Sequence, residues 1–276
     1  MRVLITNDDG IDSPGLAALA SVARGREHET LVAAPCWDSS GASASVTGVT
    51  EGRGLLVESR SWPGWPPGSV LAVNATPALI CRSAFQGAYG SPPDLVLSGI
   101  NRGLNTGHAI LHSGTVGAAL TAYQQERPAL AVSLDVVEAG DAQWATAEAV
   151  AGVVLDWLSG AGRAVAINCN VPNVPIGLLR GIRAARLAPV GTAQTSLSEQ
   201  TGETWPLSVG DGEHEGPRGD DPTRHPVTSK PRTTGGALEF DTELLAQAFA
   251  SVTAVVPIVE DHSVDLTALA GLVAPN

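Results

Sequence analysis

The chain has 276 residues, with 16 Lys and Arg against 28 Asp and Glu, giving a formal net charge of −12. Hydrophobic residues make up 43% and charged residues 16%, a balance that excludes a disordered polyelectrolyte and supports a real core. The acidity argues against a surface made for duplex nucleic acid or anionic lipid, since both need clustered Lys and Arg.

Residues 3–6 are apolar and largely β-branched, a pattern that predicts a buried strand. It breaks at Asn7-Asp8-Asp9-Gly10, after which Asp12 or Ser13 can cap a helix with Pro14 in its first turn. Leu16, Leu19, Ala20 and Ala23 fall on one face of that helix. A second strand is predicted at 31–34. Thr76 followed by Pro77 opens a helix to about Phe85 by the same cap-then-proline signal. A strand at 95–97 ends in Ser98-Gly99-Ile100-Asn101. A helix from near Gly114 to about Tyr123 precedes a strand at 130–133. Residues 144–158 read as a helix with Val150, Ala151, Val154 and Leu158 on one side, and 165–167 as a further strand. Residues 205–236 are dense in Gly, Pro and charge with few apolar positions, and read as a long loop or excursion. Order returns at 240–258, with a strand at 251–256, and there is no internal repeat.

Strand–helix alternation at this spacing predicts βαβ units, hence an α/β fold of three layers with a mostly parallel, Rossmann-like sheet between helices. We read 1–276 as a single domain. Its α/β core covers about 1–170 with 250–258, followed by a loop-rich excursion at about 171–249 and a C-terminal arm at about 259–276. Ligands gather at the carboxyl ends of such strands, which singles out the loops after Thr6, Ala34 and Leu97. Cys36, Cys81 and Cys169 are odd in number and far apart, without Cys-x-x-Cys spacing. That suits reduced thiols in a cytoplasm better than a disulfide framework or a structural zinc. No apolar run is long enough to cross a bilayer, and MRVLITNDDG reads as a strand rather than a signal peptide.

Asp8 and Asp9 directly follow the first strand. Adjacent carboxylates repel, and a hard divalent cation is a common reason to hold both ionised in one loop; a solvated Asp-Gly turn is the plainer alternative. The second loop, Asp38-Ser39-Ser40-Gly41-Ala42-Ser43, offers hydroxyls, with Gly41 allowing close backbone approach. It lacks the second Gly of a serine-hydrolase elbow, and a flexible Ser/Ala loop is its alternative. In the third loop Asn101 can give a neutral oxygen ligand. Ser113-Gly114-Thr115 precedes an Ala/Gly-rich helix, where N–H groups and hydroxyls suit a phosphate or serve only as caps. His108 and His112 stand four apart without the Glu of a zinc-protease motif, leaving packing, support or protonation of a leaving group. The dinucleotide fingerprint is absent.

Taken in order, these pieces resemble one family, the SurE-type 5′-nucleotidases. They are TNDDGI at 6–11 with Pro14-Gly15-Leu16, Ala34-Pro35 with Ser40-Gly41-Ala42-Ser43, Thr76-Pro77-Ala78, DLVLSGIN at 94–101 and SGTVGAA at 113–119. Residues 168–172 and 241–253 look like weaker C-terminal landmarks. The resemblance implies metal-dependent hydrolysis of phosphomonoesters, chiefly nucleoside 5′- and sometimes 3′-monophosphates. It implies one Mg2+ or Mn2+ per subunit on Asp8, Asp9, Ser40 and Asn101, with Asp8, Asp9 and Asn101 as the catalytic centre. Asn7, Gly41, Ser113, Gly114 and Thr115 would lie beside the phosphate or substrate, with His108 and His112 in support or in contact with it. It also implies a homodimer or homotetramer formed through C-terminal elements, with no duplex and no membrane as partner.

The chain departs from the family at Cys36-Trp37-Asp38-Ser39, where members often carry Asp-Arg and a Gln. It departs again at His108-Ala109 and His112, where many have acidic residues and Tyr, and at Ala75. These positions line the approach to the site. They motivate two alternatives: the same metal site turned to a specialised metabolite phosphate, and a relative that binds metal and phosphate without turnover.

Overall fold

A computed structural model describes residues 1–52, 54–136, 142–193 and 238–259. The stretch 205–236, and all but the first residue of the arm expected at 259–276, lie outside the described residues.

The chain order is β1 (Arg2–Thr6), α1 (Pro14–Arg24), β2 (Glu29–Pro35), β3 (Thr50–Glu51), β4 (Gly54–Leu55), β5 (Val57–Ser59), β6 (Val70–Val73), α2 (Pro77–Phe85), β7 (Leu95–Arg102), α3 (Gly114–Gln124), β8 (Ala129–Leu134), α4 (Trp144–Ser159), β9 (Ala166–Val171), β10 (Ile182–Ala184), α5 (Asp241–Ala246) and β11 (Ala250–Val255). Among the described residues one nine-stranded sheet runs β10-β11-β9-β8-β7-β1-β2-β6-β5. From β9 to β6 the pairs are all parallel, while β11 runs antiparallel to β9 and β5 antiparallel to β6. β3 and β4 form a separate small hairpin.

The interior strands read as unbroken apolar runs because helices cover both faces. Alternation along β1 separates the two layers. Val3 and Ile5 enter one cluster with Leu16 and Leu19 of α1 and Val150 and Leu155 of α4. Leu4 enters the other with Ile80 of α2 and Val116 and Ala119 of α3. This is the three-layer α/β/α arrangement with a mostly parallel sheet that the alternation predicts. Ser13 is the N-cap of α1 but makes no side-chain cap bond, so Pro14 carries the start signal.

Three features differ from the sequence reading. β7 continues five residues past the local apolar run, because a register shift against β8 lies between Ser98 and Asn101. Gly99 makes this bulge feasible: its φ is +123°, and a Cβ there would collide with the Val132 carbonyl. Asn101 therefore stands on the strand itself, opposite Ser133. The predicted strands do not include β5 or β6, although β6 is itself a short apolar run, Val-Leu-Ala-Val. β10 joins the sheet within the stretch expected as an excursion, because its pairing partner lies far ahead in β11.

From β1 the chain steps to β2 and β6 on one side, then returns through α2 to β7 on the other. The strand order thus reverses between β1 and β7, and a crevice opens at their carboxyl ends.

Candidate active site at the strand ends

Asp8 and Asp9 emerge from β1, and Asn101 from β7, so both lie at this crevice. The loop after β2 folds over them. The Ser39 N–H and Oγ both donate to the Asp8 main-chain oxygen, at 2.7 and 3.2 Å. The Ser40 N–H and Oγ donate to Asp38 Oδ1, at 2.9 and 2.6 Å. Asp38 thus fixes the Ser40 rotamer by accepting its hydroxyl hydrogen bond, so that the lone pairs of the Ser40 oxygen can face a ligand.

The fourth wall is the N-terminus of α3. Ser113 is its N-cap, accepting the Val116 N–H at 3.1 Å. The Thr115 N–H donates to Asp8 Oδ2 at 3.1 Å, and the Thr115 hydroxyl bonds Asp8 Oδ1 and lies 3.3 Å from Asn101 Oδ1. Gly114 allows this close approach, since a Cβ there would sit 2.7 Å from Asp8 Oδ2 and 2.8 Å from Asp8 Cβ. The Asn101 amide gives its N–H to the Gly103 carbonyl at 2.8 Å, which presents its oxygen toward Asp8 and Thr115. Thr115 is therefore committed to orienting Asp8, and Ser113 to capping.

The electrostatics are unbalanced. Asp8 is only 2% exposed, and burial pushes its carboxyl above the ordinary range, with the Asp38 charge adding to the rise and the Thr115 bonds opposing it. Burial and the Asp8 charge push Asp9 up to about 7, against the Arg102 main-chain N–H and the Arg102 charge. Asp9 Oδ2 and Asn7 Oδ1 are buried without a hydrogen-bond partner. Asn7 itself gives its amide N–H to the Gly10 carbonyl at 3.1 Å, holding the turn.

This donor set fits a hard divalent cation. Asp8 and the Asn101 amide oxygen meet at Thr115, Asp9 is next to Asp8, and the turn that carries Ser40 is bonded to the Asp8 main chain. The unpartnered buried Asp9 oxygen is what a cation would satisfy. Among the described residues no group of three or more His, Cys, Asp and Glu is placed to hold a metal ion. Gly41 follows Ser40 with φ +82°. His108 and His112 are exposed and lie on a 3-10 helix, Gly107–His112. At three residues per turn, positions four apart do not share a face, so the pair is not brought together.

The sequence reading missed the loop's support. Asp38 could have been found as an acidic residue two before a serine, the usual spacing for a side chain that caps its own turn. Arg102 and the buried amides behind the site have no such signal. Asn105 donates its main-chain N–H to Asn170 Oδ1 at 2.8 Å and its amide to Ser133 Oγ at 2.8 Å. Its carbonyl accepts from Asn168 and Asn170, at 2.9 and 2.7 Å. This network fixes the loop after Asn101 to β8 and β9.

A profile of the survival protein SurE family matches residues 3–194. A 5′-nucleotidase SurE of Pseudomonas fluorescens (strain Pf0-1) is 36% identical over 227 residues, covering 79% of this chain and 85% of that protein. A 5′/3′-nucleotidase SurE of Edwardsiella ictaluri (strain 93-146) is 35% identical over 211 residues, covering 75% and 77%. The crystal structure of a SurE protein from Aquifex aeolicus covers 98% of both chains with a TM-score of 0.67 at 22% identity, a likeness of fold. With the family profile and these relatives spanning most of its length, the chain belongs to the survival protein SurE family.

Proposed function

We propose that this chain hydrolyses phosphomonoesters, nucleoside 5′-monophosphates foremost, at one Mg2+ or Mn2+ per subunit held by Asp8, Asp9, Ser40 and Asn101. The observation that carries this reading is the Asp9 carboxylate. It is half-buried beside a second acid at the strand-order reversal, with one buried oxygen unpartnered, near the N-terminus of α3 that holds Asp8. The names of the relatives, 5′-nucleotidase and 5′/3′-nucleotidase, supply the substrate class.

When bound, the cation would polarise a phosphoryl oxygen and offset charge on the transferring group. The protein's own part is positioning. Thr115 holds the Asp8 carboxylate with two bonds, and Gly103 holds the Asn101 amide so that its oxygen faces inward. The Gly114 N–H and the positive end of α3 favour the remaining phosphate oxygens. Asp9, the less constrained of the two acids, orients the attacking water. Arg102 at the rim adds a positive charge to an otherwise acidic surface and draws the anionic substrate in.

Phosphate release from a panel of nucleoside 5′- and 3′-monophosphates and sugar phosphates, in Mg2+, Mn2+ or EDTA, tests this. Metal-dependent release with nucleotides ranked first is expected. A sugar phosphate ranked first would support the specialised reading motivated by residues 36–39 and 108–112. No release from any ester, with metal bound, would overturn the enzymatic reading.

Exposed apolar side chains at Val256, Ile258 and Val259, where the described residues end, and at Leu111 support a homo-oligomer, dimer or tetramer, checked by light scattering. Cys36, Cys81 and Cys169 are all free thiols, which supports a reducing, cytoplasmic setting. No helix among the described residues is long and apolar enough to cross a membrane.

A further inference from the structure

The 11 residues from Arg102 to His112 join two walls of the site, Asn101 on β7 and the Ser113–Thr115 turn of α3. Three consecutive residues in the middle of that loop are tied to chain that comes much later. Asn105 is held by β8 and β9, as above. Thr106 exchanges bonds with Thr192: its N–H donates to the Thr192 carbonyl at 2.8 Å, and its Oγ1 accepts the Thr192 N–H at 3.1 Å. The Gly107 N–H donates to Asp241 Oδ2 at 2.7 Å.

Asp241 is 0% exposed, and its other oxygen accepts the N–H groups of Ala188, at 3.0 Å, and of Thr242, at 2.9 Å. The His108 N–H returns to the Ala188 carbonyl at 3.0 Å, closing the junction. Beyond it the 3-10 helix runs into the N-cap of α3. There the Ser43 N–H and Oγ grip the His112 and Leu111 carbonyls, at 3.2 and 2.7 Å. One side chain, 134 residues away in sequence, thus joins the loop between the two walls to the segment 188–192 and to α5.

We infer that Asp241 is a positioning residue for the reaction: it fixes Gly107 so that Asn101 and the α3 N-terminus keep their mutual placement around the cation and phosphate. This role rests on the phosphatase reading above.

The variant D241N keeps the side-chain shape but turns an N–H donor against a main-chain N–H. It therefore breaks either the Gly107 bond or the Ala188 and Thr242 pair. Two readouts are used. In saturating Mn2+ with adenosine 5′-monophosphate, kcat per folded molecule is expected to fall about 10- to 100-fold, the range for lost support behind a metal site. Amide hydrogen exchange is expected to quicken across 105–116 and not in β1 or β2.

Unchanged kcat per folded molecule would overturn the proposal, since a merely structural role lowers the folded fraction alone. If D241N does not fold, T106V loosens the same junction one residue away, and a several-fold loss of kcat is expected. No loss there would overturn it equally. If the wild type hydrolyses no ester, the phosphatase reading has failed on its own. Exchange then decides: unaltered rates across 105–116 in D241N overturn the clamp, and quickened rates keep it.

Discussion

Asp8 with Asp9, and Asp241, are buried carboxylates on either side of one loop, and they are provided for differently. Asp241 has three main-chain N–H groups on its two oxygens and no exposed surface. Asp8 and Asp9 are pressed together in a site that raises both, with Asp9 Oδ2 left unpartnered. Buried polar atoms are almost always satisfied, and Asp9 Oδ2, beside the well-bonded Asp8, is one that is not. The comparison separates a carboxylate whose oxygens are both held by the main chain from a crowded pair with one oxygen left over. Asp156 supplies a third case: it is paired with Arg26 at 2.6 Å, but in solvent.

Substitutions can break this comparison at several depths. Removing the satisfied acid should hurt stability most. Asp241→Ala strands three buried N–H groups, and a loss of about 2–5 kcal/mol is expected in urea unfolding. A loss below 1 kcal/mol would mean that water replaces the carboxylate and that the junction is not rigid.

Asp38→Ala should weaken Mn2+ binding about 10- to 100-fold by calorimetry, because Ser40 loses the acceptor that sets its hydroxyl. Unchanged affinity would remove Ser40 from the ligand set.

Asp9, with its unpartnered oxygen, should respond with the opposite sign. Asp9 has a folded-state pKa of about 7 against an ordinary 3.8, so the metal-free folded state binds more protons than the unfolded chain between those values. Its contribution to stability is present below about pH 4 and is lost as pH rises to about 7. Asp9→Asn should therefore stabilise the metal-free protein on the order of 1–3 kcal/mol at pH 7.5, and little at pH 4. A thermal melt that shows destabilisation at pH 7.5 would place Asp9 in a satisfied environment. The smallest effect is expected at the surface, where Asp156→Asn should change stability by less than about 1 kcal/mol, with even that fading in salt.

Legibility in the sequence followed the range of the interactions. β1 with its acidic exit, the proline-started helices α1 and α2, and the Ser-capped α3 are local events, and their residues announce them. Asn101 stands out in the sequence as a neutral oxygen donor but not as a strand residue, because the bulge at Gly99 depends on contact with β8. Ser113 and Thr115 were legible as a polar turn at a helix start. The Ser113 cap is local, but that Thr115 grips Asp8 depends on packing α3 over β7 and β8, which spacing alone does not specify. The Asp241 junction and the Asn105 network were invisible for the same reason. Each joins residues 28 to 134 positions apart, and neither an isolated Asp before an amphipathic stretch nor Asn residues inside a strand signal such a partner.

The most direct measurement is phosphate release from adenosine 5′-monophosphate by wild type and Asp9→Asn, each in Mn2+ and in excess EDTA. If the Asp8–Asp9 pair is a cation site that performs the reaction, wild type turns over only with Mn2+. Asp9→Asn, though folded and more stable without metal, should then lose about 10²- to 10⁴-fold in turnover. Equal turnover by the two proteins, or turnover that survives EDTA, would contradict it.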